Sequence, residues 1–142
     1  MLQKKGESVP VKPAAKAMPA ILIIEDDINL AEMYKTKLDS EGFKTTISPD
    51  GKDGIKAIRD LKPDLVLLDI LMAKKDGFDV LSSIGRCPIP EVKNTPVIVL
   101  TNLASPVDQE EGKRLGARDW WIKAFNTPAE VANKVKEFLK IK

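Results

Sequence analysis

Five short apolar or β-branched runs recur along the chain, and their rhythm limits the folds open to it. They are "AILII" (20–24), "KTTIS" (44–48), "DLVLL" (64–68), "PVIVL" (96–100) and "DWWIK" (119–123). Their starts lie 24, 20, 32 and 23 residues apart. Each interval has room for a helix, and strand–helix–strand crossovers are how parallel sheets are connected. Apart from the leading Asp64, the first, third and fourth runs are apolar throughout, as strands covered on both faces must be. The second and fifth are more polar and suit sheet edges.

The intervals carry helical signals. Leu30, Ala31, Tyr34 and Leu38 share one helical face, as do Val131, Val135, Phe138 and Leu139; Ile55 and Ile58 do so more weakly. "SPVD" (105–108) and "TPAE" (127–130) each set a hydroxyl at the N-cap, proline at the first helical position and an acid at N3. Gly42, Gly77 and Gly116 punctuate ends and turns. The long third interval contains "GRCPIPEVKN" (85–94), whose two prolines read as a loop extension. The expected fold is α/β: a doubly wound, five-stranded parallel sheet in the flavodoxin-like order 2-1-3-4-5 with five helices.

Composition narrows the chemistry. At 142 residues, 43% hydrophobic and 31% charged, the chain reads as one soluble domain (20–142) after a leader (1–19). The leader holds Pro10, Pro13 and Pro19, no apolar period, and Lys4, Lys5, Lys12 and Lys16 against Glu7, so it reads as flexible and basic. The whole chain is +2 and the leader +3, which leaves −1 for the domain and no electrostatic footprint for direct contact with nucleic acid. No run has the length of a membrane span or the form of a signal peptide, and Cys87 is the sole cysteine, so the expected location is the cytoplasm. Histidine is absent, which excludes Ser-His-Asp, Cys-His and His-zinc chemistry within this chain.

In such a fold, sites form beyond the carboxyl ends of the strands. The first run is followed by Glu25, Asp26 and Asp27, the third by Asp69, the fourth by Thr101, and the fifth ends in Lys123. The first and third strands are neighbours about 5 Å apart, so at least three carboxylates share one rim. They repel unless a cation intervenes, and an oxygen-only set selects a hard one, Mg²⁺ before others. Lys123 and Thr101 complete a set suited to phosphoryl chemistry, with Asp69 as the nucleophile that forms an aspartyl phosphate. Structural roles compete at each position. Asp27 reads as the acid opening a helix and Asp76 as a turn or cap residue. Lys74 and Lys75 read as exposed loop charge before they read as steering groups. Trp120 and Trp121 point to opposite faces of the sheet.

The runs "ILIIEDD", "DLVLLDILMAKKDGFDVL", "PVIVLTN" and "GARDWWIKAF", in this order, resemble the receiver domain of two-component response regulators over residues 20–142. The resemblance implies that Asp69 accepts a phosphoryl group from a phosphohistidine on a sensor histidine kinase or a histidine phosphotransfer protein. It implies Mg²⁺, with Mn²⁺ as substitute, held by Asp26, Asp69 and the Leu71 carbonyl, with Glu25 acting through water. Thr101 matches the switch hydroxyl, Lys123 the phosphate-binding lysine, and Trp120 the position of a switch Tyr or Phe. Such a module is a self-phosphorylating and slowly self-dephosphorylating switch, not a turnover enzyme. Its output face comprises the fourth helix, fifth strand and fifth helix, and a phosphorylation-dependent homodimer is among its expected assemblies. The chain ends with its last helix, so the expectation is a stand-alone receiver acting on another protein, or a receiver from which an output domain has been removed.

Five residues depart from the family pattern. Ala124 replaces the Pro after the lysine, which leaves cis and trans open for that bond. Ala73 replaces a common Pro after the acceptor, and Asn102 a small residue. Leu71 and Leu103 are apolar where some relatives orient hydrolytic water, so the phosphoryl group should be long-lived. Two alternatives have distinct signatures. A phosphorylation-independent interaction module has no need of the acceptor, acid pair, Thr and Lys together. A metal-dependent phosphatase with an aspartyl nucleophile usually sets a second acid two residues on, where Leu71 stands, and no Gly-rich phosphate loop follows the first strand.

Overall fold

A computed structural model describes residues 18–73 and 76–141. The readings made of the leader, except for Met18 and Pro19, and of Lys74 and Lys75 lie outside the described residues. Strands β1 (Ala20–Ile24), β2 (Lys44–Ser48), β3 (Leu65–Leu68), β4 (Val97–Thr101) and β5 (Asp119–Ile122) form one sheet in the order β2-β1-β3-β4-β5. All four pairings are parallel, so the predicted topology and edges hold. The helices are α1 (Ile28–Ser40), α2 (Gly51–Leu61), α3 (Gly77–Gly85), α4 (Pro90–Lys93), α5 (Pro106–Arg114) and α6 (Pro128–Leu139).

The expectation of five helices needs correction, because a sixth, the single turn α4, lies within the proline-containing extension. Pro90 occupies its first turn, where a missing N–H costs nothing, and Val92 is buried beneath it. The expected fourth and fifth helices are therefore α5 and α6. Both predicted hydroxyl caps form: Ser105 opens α5, and Thr127 opens α6 in a reciprocal capping box with Glu130. Asp27 and Asp76 cap α1 and α3, the structural roles expected of them.

Alternation along the central strands splits the core into two layers. Ile21, Ile23, Leu65, Leu67, Ile98 and Leu100 face α1 and α6, where they meet Tyr34, Leu38, Val131, Val135 and Leu139. Leu22, Ile24, Val66, Leu68, Val97 and Val99 face the other way, onto Ile58, Val80, Leu81, Ile84 and Val92. Each fully buried aliphatic side chain contributes about 1.5–3 kcal/mol, so the strands that deliver the polar rim are also the most firmly held. Trp121 joins the first layer and Trp120 packs against the second, on opposite faces as alternation requires. Among the described residues no helix is long and apolar enough to cross a membrane.

Candidate functional site at the carboxyl rim of the sheet

The rim is built by backbone pairing that outlasts the strands by one residue. Asp69 N–H donates to Ile24 O at 3.0 Å, and Glu25 N–H donates to Ser48 O at 3.0 Å. These bonds anchor the backbone of both acids before any side chain acts. Asp69 is therefore the residue at which an apolar strand reaches the surface layer, and it is still only 5% exposed. Gly77, at the start of α3, abuts this point: a Cβ there would lie 2.5 Å from Asp69 O. Only glycine lets α3 approach the loop after β3 so closely.

Glu25, Asp26 and Asp69 each offer one oxygen, and the three oxygens lie within 4.8 Å of one another. Glu25 and Asp69 are buried and Asp26 is exposed. Lys123 Nζ bridges the buried pair, donating to Glu25 Oε1 and, at 2.9 Å, to Asp69 Oδ2. Three carboxylates against one ammonium leave two net negative charges in this cluster. Burial pushes the Glu25 carboxyl above the ordinary glutamate range, and Asp69 adds to the push; Lys123 and the Asp27 N–H oppose it without cancelling it. Burial also disfavours the Lys123 ammonium, but hydrogen bonds and charges from Glu25 and Asp69 outweigh burial and hold its pKa up. The excess negative charge and the oxygen-only donors fit a hard divalent cation.

The backbone holds three further oxygens. Asp69 Oδ1 accepts from Leu71 N–H at 3.1 Å, and Glu25 Oε2 from Asp27 N–H at 3.0 Å. Asp26 Oδ2 accepts from Ala73 N–H at 3.1 Å, a bond that proline at that position could not make. Leu71 is 56% exposed, and it holds Asp69 through its backbone amide.

Thr101 ends β4 fully buried, with its hydroxyl turned to its own loop: Leu103 N–H donates to Oγ1 at 3.3 Å. The Leu103 carbonyl accepts from Trp120 Nε1 at 2.9 Å. Leu103 thus links Thr101 to Trp120, a connection that sequence reasoning did not anticipate. The Trp120 ring lies against Phe78, with centroids 6.3 Å apart, and over Gly112 of α5, where a Cβ would approach Cζ3 to 2.5 Å. Beside it, an open groove of about 600 Å³ runs between α5 and β5, lined by Gln109, Glu110, Lys113, Arg118, Asp119 and Trp120.

The Lys123–Ala124 bond is trans, and Lys123–Phe125 forms a 3₁₀ turn absent from the sequence-based picture. Ala124 N–H donates to Asn102 Oδ1 at 2.9 Å. Tyr34 lies on the helical face of α1 expected from the sequence. It is buried within the electrostatic reach of Lys123, Glu25 and Asp69, and burial pushes its phenol up.

Comparison with known proteins agrees with this fold. Residues 21–136 match the family model described as the response regulator receiver domain. The DNA-binding response regulator MtrA of Mycobacterium tuberculosis is 36% identical over 121 residues, covering 84% of this chain and 50% of MtrA. The transcriptional regulatory protein CpxR of Klebsiella pneumoniae is 37% identical over 123 residues, covering 87% of this chain and 50% of CpxR. The chain spans about half the length of the curated relatives it matches. Among solved structures, the Francisella response regulator 1452 receiver domain is similar with a TM-score of 0.76 at 31% identity, over 86% of this chain and 97% of that one. The chemotaxis protein CheY4 of Vibrio cholerae gives a TM-score of 0.78 at 26% identity, over 85% and 98%.

Proposed function

This chain belongs to the response regulator receiver domain family, the phosphoacceptor module of two-component signalling, and from that premise we propose that Asp69 is its acceptor. The observation that carries the reading is the buried Asp69 carboxylate, ion-paired with Lys123 and clustered with Glu25 and Asp26. The donor would be a phosphohistidine of a histidine kinase or phosphotransfer protein. One Asp69 oxygen attacks phosphorus, the P–N bond breaks, and the imidazole leaves with its electron pair and takes up a proton. Lys123, already within reach of Asp69, neutralises phosphoryl oxygens as charge develops. Asp26, Asp69 and the Leu71 carbonyl, with Glu25 through water, would hold Mg²⁺ (or Mn²⁺), which supplies further neutralisation of that charge.

Switching follows from the Leu103 link. A Thr101 hydroxyl that turns to a phosphoryl oxygen gives up the Leu103 N–H, and the loop whose carbonyl holds the Trp120 indole is released. The groove along α5 and β5 then changes shape, so phosphorylation reads out as a shift between two states of that face. Its ligand would be a protein partner or a second copy of the chain, with no direct contact to nucleic acid, and the domain acts as a switch in the cytoplasm rather than as a turnover enzyme.

The test treats wild type and Asp69→Asn with a small acyl-phosphate donor, with and without Mg²⁺, and reads intact mass. One added phosphoryl group on wild type with Mg²⁺ only, and none on the variant, is the expected result. An unmodified wild type would favour the phosphorylation-independent module, and a labelled variant would overturn the assignment of Asp69.

A further inference from the structure

Lys123 acts from the end of an edge strand, where little holds it. Backbone pairing between β4 and β5 stops at Thr101–Ile122, one residue short of the lysine. The next three residues form the 3₁₀ turn Lys123–Phe125, whose first residues have no intrahelical acceptor and whose N-cap, Ile122, provides no side-chain hydrogen bond. Asn102 fills the gap. It follows Thr101 directly, and its Oδ1 takes the Ala124 N–H at 2.9 Å, continuing the β4–β5 ladder by one side-chain rung. From the other side, Asn126 Nδ2 donates to Ile122 O at 2.8 Å, and Asn126 N–H to Lys123 O at 3.1 Å. The lysine turn is therefore clamped between two asparagines. Two of the departures noted in the sequence form one device, because a proline at 124 would have no N–H for Asn102 to accept.

We propose that Asn102 is a positioning residue for Lys123: its carboxamide fixes the trans lysine turn so that Nζ stays between Glu25 and Asp69. The proposal rests on the reading of Asp69 as phosphoacceptor, and Asn102 acts through the lysine without touching the phosphoryl group. Both Asn102 and Ala124 are exposed, so Asn102→Ala removes the rung without opening the core. With a small acyl-phosphate donor and Mg²⁺, the phosphorylation rate of Asn102→Ala should fall about three- to tenfold, the loss expected for one neutral hydrogen bond of positioning.

Two further readouts separate positioning from a general effect. By NMR, Asn102→Ala should speed exchange of the Ala124 amide and shift the Lys123 side-chain signals, with no donor present. In an Ala124→Pro background, Asn102→Ala should change the rate no further, since no N–H is left to lose. An unchanged Ala124 amide, or an equal rate loss in both backgrounds, would overturn the proposal. If the NMR changes occur while wild type takes no phosphoryl group, the assignment of Asp69 has failed and the positioning of Lys123 by Asn102 stands.

Discussion

Replacing Lys123 with methionine keeps the stem and removes the ammonium that Glu25 and Asp69 share. The lysine, Glu25 and Asp69 side chains are 10%, 4% and 6% exposed, so solvent cannot replace what is lost. Each carboxylate keeps one backbone N–H, from Asp27 and Leu71 respectively, and the cluster passes from two net negative charges to three. Stranding one partner of a buried pair costs about 3–5 kcal/mol. Protonation sets a ceiling: neutralising one carboxylate of ordinary pKa at pH 7 costs about 3–4 kcal/mol, and only about 1 kcal/mol at pH 5. The variant should therefore lose about 3–4 kcal/mol at pH 7, roughly 10–15 °C in Tm for a domain of this size, and recover most of it at pH 5. Millimolar Mg²⁺ should raise the Tm of the variant more than that of wild type, because the metal meets one more uncompensated charge. Thermal melts followed by circular dichroism at both pH values, with Mg²⁺ and with chelator, measure all three effects. A loss below about 1 kcal/mol at pH 7, or one undiminished at pH 5, would refute the view that Lys123 holds a buried, mutually repelling pair.

Glu25 should make stability depend on pH in the sense opposite to that of most surface carboxylates. Its folded pKa lies above its unfolded one, so its contribution is fully present below the ordinary glutamate value and is lost as pH rises through the folded value. In metal-free urea titrations, the stability of wild type relative to Glu25→Gln should thus decline from acid to neutral pH; a rise would contradict the burial argument. The apolar Leu71 and Leu103 leave hydrolytic water with few polar side chains to orient it. The aspartyl phosphate in Mg²⁺ should then outlast minutes, and decay within seconds would show that another group directs the water.

The parts of the fold legible from sequence were those written in local patterns. Continuous apolar runs marked β1, β3 and β4, polar content marked the edges β2 and β5, and "SPVD" and "TPAE" marked two helix starts. The acid rim was legible because carboxylates after apolar strands must emerge at one end of a parallel sheet. Features that depend on contacts distant in sequence could not be read. Asn102 and Ala124 stand 22 residues apart, and each by itself was only a departure from a pattern; their hydrogen bond exists once β4 and β5 are in register. Asp26 and Ala73, 47 residues apart, are the same case. The Thr101–Leu103–Trp120 link uses the backbone of a loop, whose path no side-chain pattern encodes. The turn α4 was missed because two prolines suggested only a loop, while the buried Val92 beneath it carried no periodic signal.

The central claim concerns one carboxylate, and chemical mapping of the phosphoryl group tests it most directly. Borohydride cleaves an acyl phosphate and reduces that carboxyl to an alcohol, so a phosphorylated aspartate is recovered as homoserine. After treatment with a small phosphodonor and Mg²⁺, reduction and peptide sequencing by mass spectrometry should find homoserine at position 69 and at no other aspartate. Homoserine at position 26, or an acid-stable phosphate on Ser, Thr or Tyr, would contradict the account.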